Sequence, residues 1–300
     1  MINYSICIPI YNGELYVIDT LKSIEIAISG RKDIELILFN DGSTDGSLTL
    51  VSEYLKKKVI NYKIINSSNV GRSKARNIAA SEAKGNYFIF IDADDLIEEN
   101  YFSLLDRKLI SDSFDLVVSE VVFINKFGER LGEQMSYEAS KSIHENIIIG
   151  NMPYTSAICV KNNIFAHVKG FCSDLQERED WHFAAKVATV DKVKIAMLTE
   201  KPIKIRYHDS NNSGNSNRFL THTINVSQMI CEMTHREKKL RYKVMAANIK
   251  HFSSRNISIS MKMKGLKYVF SSNIYICLSS AKETLHMVKH ILKIILVNYE

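Results

Sequence analysis

Short apolar segments alternate with segments of helical periodicity along the first 120 residues. The apolar segments predict strands over residues 4–10, 34–40, 62–66, 87–91 and 115–124. Helical spacing occurs between them, over residues 13–27, 47–58, 71–83 and 99–110. Strands that alternate with helices in this way predict right-handed βαβ units and an α/β fold, with a mostly parallel sheet flanked by helices.

The regular alternation weakens after Gly128. Residues 177–190 predict a helix, and residues 193–198 and 202–208 predict two further strands. The signals are sparser here because polar residues interrupt the apolar runs. The order of strands in this part of the sheet is therefore left open by the pattern.

A polar stretch, DSNNSGNSN over residues 209–217, separates this region from the rest of the chain. Its Ser, Asn and Gly content is typical of a linker or of a mobile lid. Beyond it the sequence predicts mainly helices. We therefore expect a first domain over residues 1–215 and a helical C-terminal region over residues 216–300.

The bulk composition indicates a folded protein of the reducing cytoplasm. Hydrophobic residues make up 46% of the chain and charged residues 24%, which argues against disorder. The five cysteines show no CxxC spacing, so neither a disulfide framework nor a zinc site is expected. The first residues lack a basic region followed by an apolar stretch, and no apolar run is long enough to span a membrane.

Positive charge is concentrated in the C-terminal region. Residues 220–300 carry 13 Lys or Arg and 4 Asp or Glu, whereas the whole chain has a net charge of +6. On a helix, residues 285–297 would present one polar stripe of His and Lys. This segment would lie on an anionic membrane at the cytoplasmic face, or pack on the first domain or on a second subunit of a homo-oligomer. No nucleic-acid-binding module accompanies the charge, so no nucleic acid partner is expected.

Three aspartates follow the strand predicted at residues 87–91, within the sequence IFIDADDLIEEN. In an extended segment residues i and i+2 point the same way, so Asp92 and Asp94 would face one ligand together. Two converging carboxylates favour a hard cation such as Mn²⁺ or Mg²⁺. Asp95 instead predicts a capping box with Glu98 at the start of the next helix.

Five segments, in order, carry a family resemblance: CIPIYNGELYVIDTLKSI, LFNDGSTDGS, NVGRSKARN, FIDADD and REDWHFAAKV. Together they resemble family-2 glycosyltransferases of the GT-A fold. FIDADD is similar to that family's DxD motif, and REDWHFAAKV to its ED motif. The resemblance covers roughly residues 4–208. It implies a GT-A fold and a nucleotide-sugar donor, usually a UDP-sugar.

The resemblance implies donor-binding roles for side chains near the ends of the first strands. Pro9, Tyr11 and Asn12 end the first strand, where Tyr11 would stack on the uracil; a plain turn at Asn12 is the alternative. Asp41 would accept a hydrogen bond from a base N–H, or would serve as a turn residue. Arg76 would pair with the nucleotide or brace the acidic cluster.

The same resemblance implies a metal site. Asp92 would contact the ribose or the metal, and Asp94 would bind the metal directly. His208 would bind the metal or the diphosphate, with a structural role as the alternative. Arg206 and Ser213 would approach the same phosphates.

The ED-like segment would supply the catalytic base. The resemblance assigns this role to Asp180, with Glu179 and Trp181 as substrate-binding neighbours. A desolvated site beside Trp181 would raise the pKa of Asp180 towards the range useful for a base. Acids in the first turn of a helix are also favoured by the helix macrodipole, which is the structural alternative for Glu179.

The sequence thus predicts a metal-dependent, inverting glycosyltransferase. It would move a sugar from a UDP-sugar to a hydroxyl of a glycan or lipid-linked glycan, in the synthesis of cell-surface polysaccharide, lipopolysaccharide or capsule. One alternative is a non-catalytic scaffold with the same fold. Another is a nucleotidyltransferase, but PIYNGELY lacks the glycine-rich basic loop that such an enzyme would need after its first strand.

Overall fold

The structure is a computed structural model that describes residues 2–132, 141–150, 154–208 and 216–234. Within these residues, nine strands form one sheet that carries helices on both faces. In this described part, none of the helices is long and apolar enough to cross a membrane. Ser213 and the predicted amphipathic segment over residues 285–297 lie outside the described residues.

Strands and helices are numbered separately, each in their order along the chain. The strands are β1 (Tyr4–Ile10), β2 (Ile34–Asp41), β3 (Tyr62–Ser67), β4 (Tyr87–Phe90), β5 (Leu96–Ile97), β6 (Leu116–Ile124), β7 (Arg130–Gly132), β8 (Ile158–Lys161) and β9 (Ile195–Arg206). The helices are α1 (Val17–Ala27), α2 (Ser47–Leu55), α3 (Arg72–Ser81), α4 (Tyr101–Ser111), α5 (Ile143–Ile148), α6 (Asn162–His167), α7 (Glu179–Ala188) and α8 (Ser216–Met233).

The sheet has a parallel half and a mixed half. Its order is β3-β2-β1-β4-β8-β6-β9-β5, with β7 paired to β6. Strands β3, β2, β1 and β4 are parallel, which confirms the predicted βαβ units. Strand β8 is antiparallel to both β4 and β6, whereas β9 runs parallel to β6. The fold is therefore a GT-A-like α/β fold whose sheet is mixed beyond β4.

The predicted break between two strands in the C-terminal half of the sheet was wrong. Residues 193–198 and 202–208 were predicted as two strands, but β9 is one continuous strand. Its exposed middle, at Thr199 and Glu200, carries polar residues that suggested a break, and the half-buried Lys201 that follows has a φ of 55°. The ladder with β6 shifts register here and then continues.

The core lies on both faces of the sheet. One apolar cluster fills the space between the sheet and the helices α3, α7 and α8, and the other lies under α1, α2 and α4. Because β1, β2 and β4 are covered on both faces, they are mostly apolar and buried almost throughout, rather than alternating between apolar and polar residues. Helix α8 follows the predicted domain boundary, yet its Val226 and Ile230 belong to the first cluster.

A side-chain amide ties α3 to the loop that precedes α7. Asn77 donates a hydrogen bond of 2.8 Å from Nδ2 to the carbonyl oxygen of Phe171, and its Oδ1 accepts one of 2.8 Å from the N–H of Phe171. Gly170 fits closely here, since a Cβ added to it would lie 2.4 Å from Oδ1 of Asn77. Both partners of this link lie next to segments that carry the acidic side chains described below.

We expect Asn77→Asp to lower the free energy of unfolding by about 1–3 kcal/mol, because a carboxylate cannot donate to the Phe171 carbonyl. Chemical denaturation would measure this. Asn61→Asp is the matched control, since its side chain is exposed. Equal stability of the two variants would contradict a structural role for the amide.

Candidate active site

Four segments bring polar side chains to the carboxyl end of β4. The aspartates of IDADD follow β4 directly, and the end of β9 supplies Arg206 and His208. Helix α3 contributes Arg76 and the start of α7 contributes Glu179. Ligand sites of open α/β sheets lie at this edge, beyond the carboxyl ends of the parallel strands.

Arg76 joins the two acidic segments. Its side chain is 2% exposed, and one terminal nitrogen donates to Oδ1 of Asp92 at 2.6 Å while the other donates to Oε1 of Glu179 at 2.9 Å. The guanidinium also lies 5.4 Å from the centre of the Phe171 ring. These contacts with Asp92 and Glu179 are those that the bracing role predicted for Arg76 requires.

Asp95 organises the loop after β4 instead of capping a helix. Its carboxylate accepts 2.5 Å from the hydroxyl of Ser156 and 2.9 Å from the N–H of Arg206. The predicted capping box with Glu98 is wrong, because β5 intervenes and α4 begins only at Tyr101. Burial raises the pKa of Asp95 well above its ordinary value, and the charges of its two aspartate neighbours add to this.

Asp94 and His208 contact each other across the site. His208 Nε2 lies 2.8 Å from Oδ2 of Asp94. The imidazole stacks on the ring of Tyr16, with 4.7 Å between centroids. Burial raises the pKa of Asp94, the charge of Asp92 adds to the shift, and His208 opposes it.

The Asp94–His208 pair fits one side of a divalent cation site. Across the parts of the chain that the structure describes, no group of three or more His, Cys, Asp or Glu side chains is arranged to hold a metal ion. Mg²⁺ and Mn²⁺ in nucleotide-using enzymes take one or two carboxylates and complete their coordination with water and phosphate oxygens. An incomplete set with one carboxylate and one imidazole is compatible with that arrangement.

Arg206 does not face a phosphate as the sequence suggested. Its side chain is only 3% exposed. Nε donates to the carbonyl oxygen of Asp94 at 2.9 Å, and another nitrogen donates to the carbonyl oxygen of Lys126 at 3.1 Å. The guanidinium therefore fixes the backbone of the aspartate loop.

Asp180 has the environment predicted for a base. It is half-buried in the first turn of α7, and its Oδ1 accepts 2.7 Å from the N–H of Trp181. Burial raises the pKa of Asp180 to about 6, and the charge of Glu179 contributes to the increase. The positive charges of Arg178 and Arg76 oppose the shift without cancelling it.

Glu179 and Trp181 are buried beneath the surface of the site. Their predicted contacts with a substrate do not fit this burial. Glu179 is 4% exposed and Trp181 is 2% exposed. The indole N–H donates to the carbonyl oxygens of Ile147 and Ile148 at 3.0 and 3.3 Å. Surfaces buried to this extent, and already hydrogen-bonded within the protein, are not available to a substrate in this conformation.

The residues predicted to bind the donor lie on neighbouring loops after β1 and β2. Tyr11 is 52% exposed, so its ring face is accessible, and Pro9 is half-buried. Asn12 has a φ of 52°, and its Oδ1 accepts 2.8 Å from the N–H of Thr44. This hydrogen bond makes Asn12 a turn residue that connects the two loops, while Tyr11 keeps a free surface.

Asp41 holds the loop that leads into α3. Its two carboxylate oxygens accept from the N–H groups of Val70 and Gly71 at 2.6 and 3.0 Å. Gly71 has a φ of 87°, which lets the chain turn both N–H groups towards the carboxylate. Asp41 is 3% exposed, so any contact with a base would use the small part of the carboxylate left uncovered.

Two supporting residues were missed by the sequence reasoning. Ser156 bridges the aspartate loop, because its hydroxyl accepts 3.0 Å from the N–H of Asp92 and also donates to Asp95. Tyr16 stacks on His208. A serine and a tyrosine without a spacing pattern carry no local signal, and both act on residues far away in the sequence.

A separate groove of about 830 Å³ lies on the β5–β9 side of the sheet. Its walls carry side chains of both signs, among them Glu98, Arg130 and Lys204. It shares no residue with the aspartate site, which is therefore identified by its chemistry and not by cavity size.

Comparison with known proteins identifies the family. The model of Glycosyl transferase family 2 matches residues 5–167, more than half of the 300-residue chain. The chain belongs to glycosyl transferase family 2, and the family resemblance predicted from the motifs is confirmed.

The names of two curated relatives refer to sugar transfer and to teichoic acid biosynthesis. The chain is 26% identical over 209 residues to poly(ribitol-phosphate) beta-N-acetylglucosaminyltransferase TarS of Staphylococcus aureus, covering 67% of this chain and 35% of that protein. It is 40% identical over 100 residues to the minor teichoic acid biosynthesis protein GgaB of Bacillus subtilis, covering 33% of this chain and 11% of that protein. The chain thus spans about a third or less of the length of these relatives.

Solved structures confirm the fold. The crystal structure of S. aureus TarS 1–349 in complex with UDP-GlcNAc matches with a TM-score of 0.71 and 20% identity, over 89% of this chain and 82% of that one. The mannosyltransferase PcManGT from Pyrobaculum calidifontis, in complex with GDP-Man and Mn²⁺, matches with a TM-score of 0.61 and 13% identity, over 99% and 87% of the two chains.

We expect Arg76→Met to lower the free energy of unfolding by about 3–5 kcal/mol, because it leaves the buried Glu179 carboxylate without its cation. Adding Glu179→Gln should recover part of this loss, with a coupling of about 0.5–3 kcal/mol between the two positions. Chemical denaturation of the wild type, both single variants and the double variant would measure the coupling.

Lys63→Met is the matched control, since it removes a cation from the surface pair with Glu82. Its unfolding midpoint should equal that of the wild type, because exposed ion pairs contribute little. Strictly additive effects at Arg76 and Glu179 would show that the buried ion pair does not stabilise the fold.

Proposed function

We propose that this protein is an inverting glycosyltransferase that moves a sugar from a UDP-sugar to an acceptor hydroxyl. The product would be a cell-surface glycan, and the acceptor a glycan or lipid-linked glycan. The observation that carries the proposal is the ion-pair bridge through Arg76. It joins the Asp92–Asp94 segment to the Glu179–Asp180 segment, which supports the proposal that the metal ligands and the base belong to one site. The raised pKa of Asp180 also supports its proposed role as the base.

The donor would lie across the loops after β1 and β2. The exposed ring of Tyr11 offers a face for a uracil, with Pro9 and Asn12 shaping the same loop. Asp41 would contact the base with the part of its carboxylate that Val70 and Gly71 leave uncovered. The UDP-GlcNAc complex of the related TarS structure supports a UDP-sugar as the donor. Because PcManGT was solved with GDP-Man, the test described below also includes GDP-sugars.

Asp94 and His208 would hold Mn²⁺ or Mg²⁺, and Asp92 would contact the ribose or the same cation. When bound, the cation supplies positive charge beside the diphosphate leaving group. Arg206 and Tyr16 keep the two ligands in position, through the carbonyl oxygen of Asp94 and the ring of His208.

Asp180 would act as the general base. As the acceptor oxygen attacks the anomeric carbon, the Asp180 carboxylate takes its proton, and the bond from that carbon to the diphosphate breaks. One displacement inverts the anomeric configuration. A carboxylate with a pKa of about 6 is ionised near neutral pH and is a stronger base than an ordinary aspartate.

The charge distribution along the chain supports a proposal for where the enzyme is located. We propose a cytoplasmic enzyme that contacts the inner membrane peripherally through its basic C-terminal region, where residues 220–300 carry 13 Lys or Arg against 4 Asp or Glu. Such a location would bring a lipid-linked acceptor to the site. Packing of this region on a second subunit is the other arrangement compatible with its sequence.

The first test is a thermal-shift screen against UDP-, GDP- and CMP-sugars, each with Mn²⁺ and with EDTA. A UDP-sugar at about 100 times its dissociation constant should stabilise the fold by about 2.7 kcal/mol, and EDTA should remove most of this effect. Asp94→Asn should lose the dependence on Mn²⁺, because it removes a charged ligand. Asp191→Asn, which changes an exposed carboxylate, should behave as the wild type.

No stabilisation by any nucleotide-sugar would refute the proposed activity and favour a non-catalytic scaffold. Stabilisation that survives EDTA and is unchanged in Asp94→Asn would leave the donor in place and remove the metal from the proposal.

The second prediction concerns Asp180. We expect kcat/KM to rise with pH through about 6 and to level off above it, because only the ionised carboxylate accepts a proton. Asp180→Asn should still be stabilised by the UDP-sugar but should lose transfer by at least about 100-fold. Release of UDP in the presence of acceptor would be measured, with Asp174→Asn as the exposed control. Transfer in Asp180→Asn at the wild-type rate would exclude Asp180 as the base.

A further inference from the structure

Three aromatic rings form a cluster beside the site that none of the proposed roles uses. The aromatic cluster consists of Phe123, Tyr154 and Tyr207. Both tyrosine rings contact Phe123, with centroid distances of 5.4 Å for Tyr154 and 5.1 Å for Tyr207. Phe123 is buried at 4% exposure, whereas Tyr207 is 40% exposed and Tyr154 is half-buried. The buried Phe123 ring thus supports two tyrosine rings that are accessible at the surface.

Two residues of the aromatic cluster lie next to residues that bind the aspartate loop after β4. Tyr207 lies between Arg206 and His208, both of which bind Asp94. Because side chains alternate along an extended segment, Tyr207 points away from Asp94 and towards Phe123. Tyr154 lies two residues before Ser156, whose hydroxyl binds the aspartate loop. The position of each tyrosine is therefore fixed by contacts of the site itself.

The aromatic cluster also lies within electrostatic range of the proposed base. Burial raises the pKa of the Tyr154 phenol, and the Tyr207 phenol and the Asp180 carboxylate raise it further. A group bound against these rings would be close to the carboxylate that takes the acceptor proton.

The aromatic cluster and the proposed donor loops lie on opposite sides of the aspartates. The donor loops follow β1 and β2, whereas Phe123 is on β6 and Tyr207 follows β9. In the sheet order, β4 with its aspartates stands between these two groups of strands. A donor held by the first group would leave the aromatic cluster free for the second substrate.

We propose that Tyr154 and Tyr207 form the acceptor subsite, and that it takes a pyranose ring. This inference rests on the proposed glycosyltransferase function. A ring with axial C–H groups on one face packs on an aromatic surface, while its hydroxyl groups can reach the phenol oxygens at the edge. An acyclic polyol has the hydroxyl groups but offers no flat apolar face. The aromatic cluster therefore selects a cyclic sugar acceptor.

The test uses the whole chain with Mn²⁺ and UDP, and methyl glucopyranoside, methyl galactopyranoside and methyl 2-acetamido-2-deoxyglucopyranoside as probes. Saturation-transfer NMR should show transfer from the protein to the ring protons of at least one pyranoside. Ribitol is the acyclic comparison and should show less. Tyr207→Ala should abolish the signal and raise the KM for that pyranoside as acceptor about tenfold.

Two further variants separate the ring from other effects of the substitution. Tyr207→Phe keeps the ring and should keep most of the signal. Phe127→Ala removes a ring that is 76% exposed and lies outside the aromatic cluster, and it should behave as the wild type. Slow release of UDP from the donor without acceptor should be the same in Phe127→Ala as in the wild type, because Phe127 belongs neither to the aromatic cluster nor to the aspartate site.

The outcomes distinguish the acceptor subsite from the proposed function. If the wild type neither binds a UDP-sugar nor releases UDP, the proposed function fails. If it does both, but Tyr207→Ala keeps the signal and the KM, the subsite is refuted while the function stands. Absence of signal from every pyranoside, or a stronger signal from ribitol, would also overturn the choice of a pyranose ring.

Discussion

A buried guanidinium is the constraint on which the rest of the site depends. Arg76 is 2% exposed and forms ion pairs with both Asp92 and Glu179. A buried carboxylate such as Glu179 is stable only with a cation or several donors beside it. Because Arg76 supplies that cation to two segments at once, the loop after β4 and the start of α7 are held at a fixed separation. The small residues of α3 allow this, since Ala75 and Ala79 are fully buried against the sheet.

The three aspartates of the loop after β4 have different roles because their surroundings differ. Asp95 is buried and bound to Ser156 and to the backbone, so it shapes the loop. Asp92 faces Arg76, and Asp94 faces His208. The chain turns here, with the N–H of Asp95 donating to the carbonyl oxygen of Asp92 at 3.1 Å, so the three side chains meet different partners. Only Asp92 and Asp94 keep solvent access and would reach a ligand. The burial that raises the pKa of Asp95 thus reflects a structural role.

Asp180 shows how packing prepares a carboxylate for acid–base chemistry. The helix that carries it is anchored from below by Trp181 and by the Glu179–Arg76 ion pair. These anchors bury the first turn of α7, and burial is the main cause of the raised pKa of Asp180. The same burial removes Glu179 and Trp181 from contact with a substrate. One structural arrangement therefore explains both the confirmed environment of Asp180 and the corrected roles of its neighbours.

The sequence by itself determined the parallel half of the sheet and the family. Periodicity is a local property, and the mostly apolar runs of β1, β2 and β4, which are buried on both faces, could be recognised as strands. The shorter apolar run of the edge strand β3 could be recognised as well. Motifs are local as well, and they placed Asp92, Asp94 and Asp180 near strand or helix ends. Only the tertiary structure decided that β8 is antiparallel, that β9 is continuous, and which acids are buried. Those outcomes depend on partners up to a hundred or more residues away, such as Arg76 with Glu179 or Asp95 with Arg206, and no local pattern encodes such contacts.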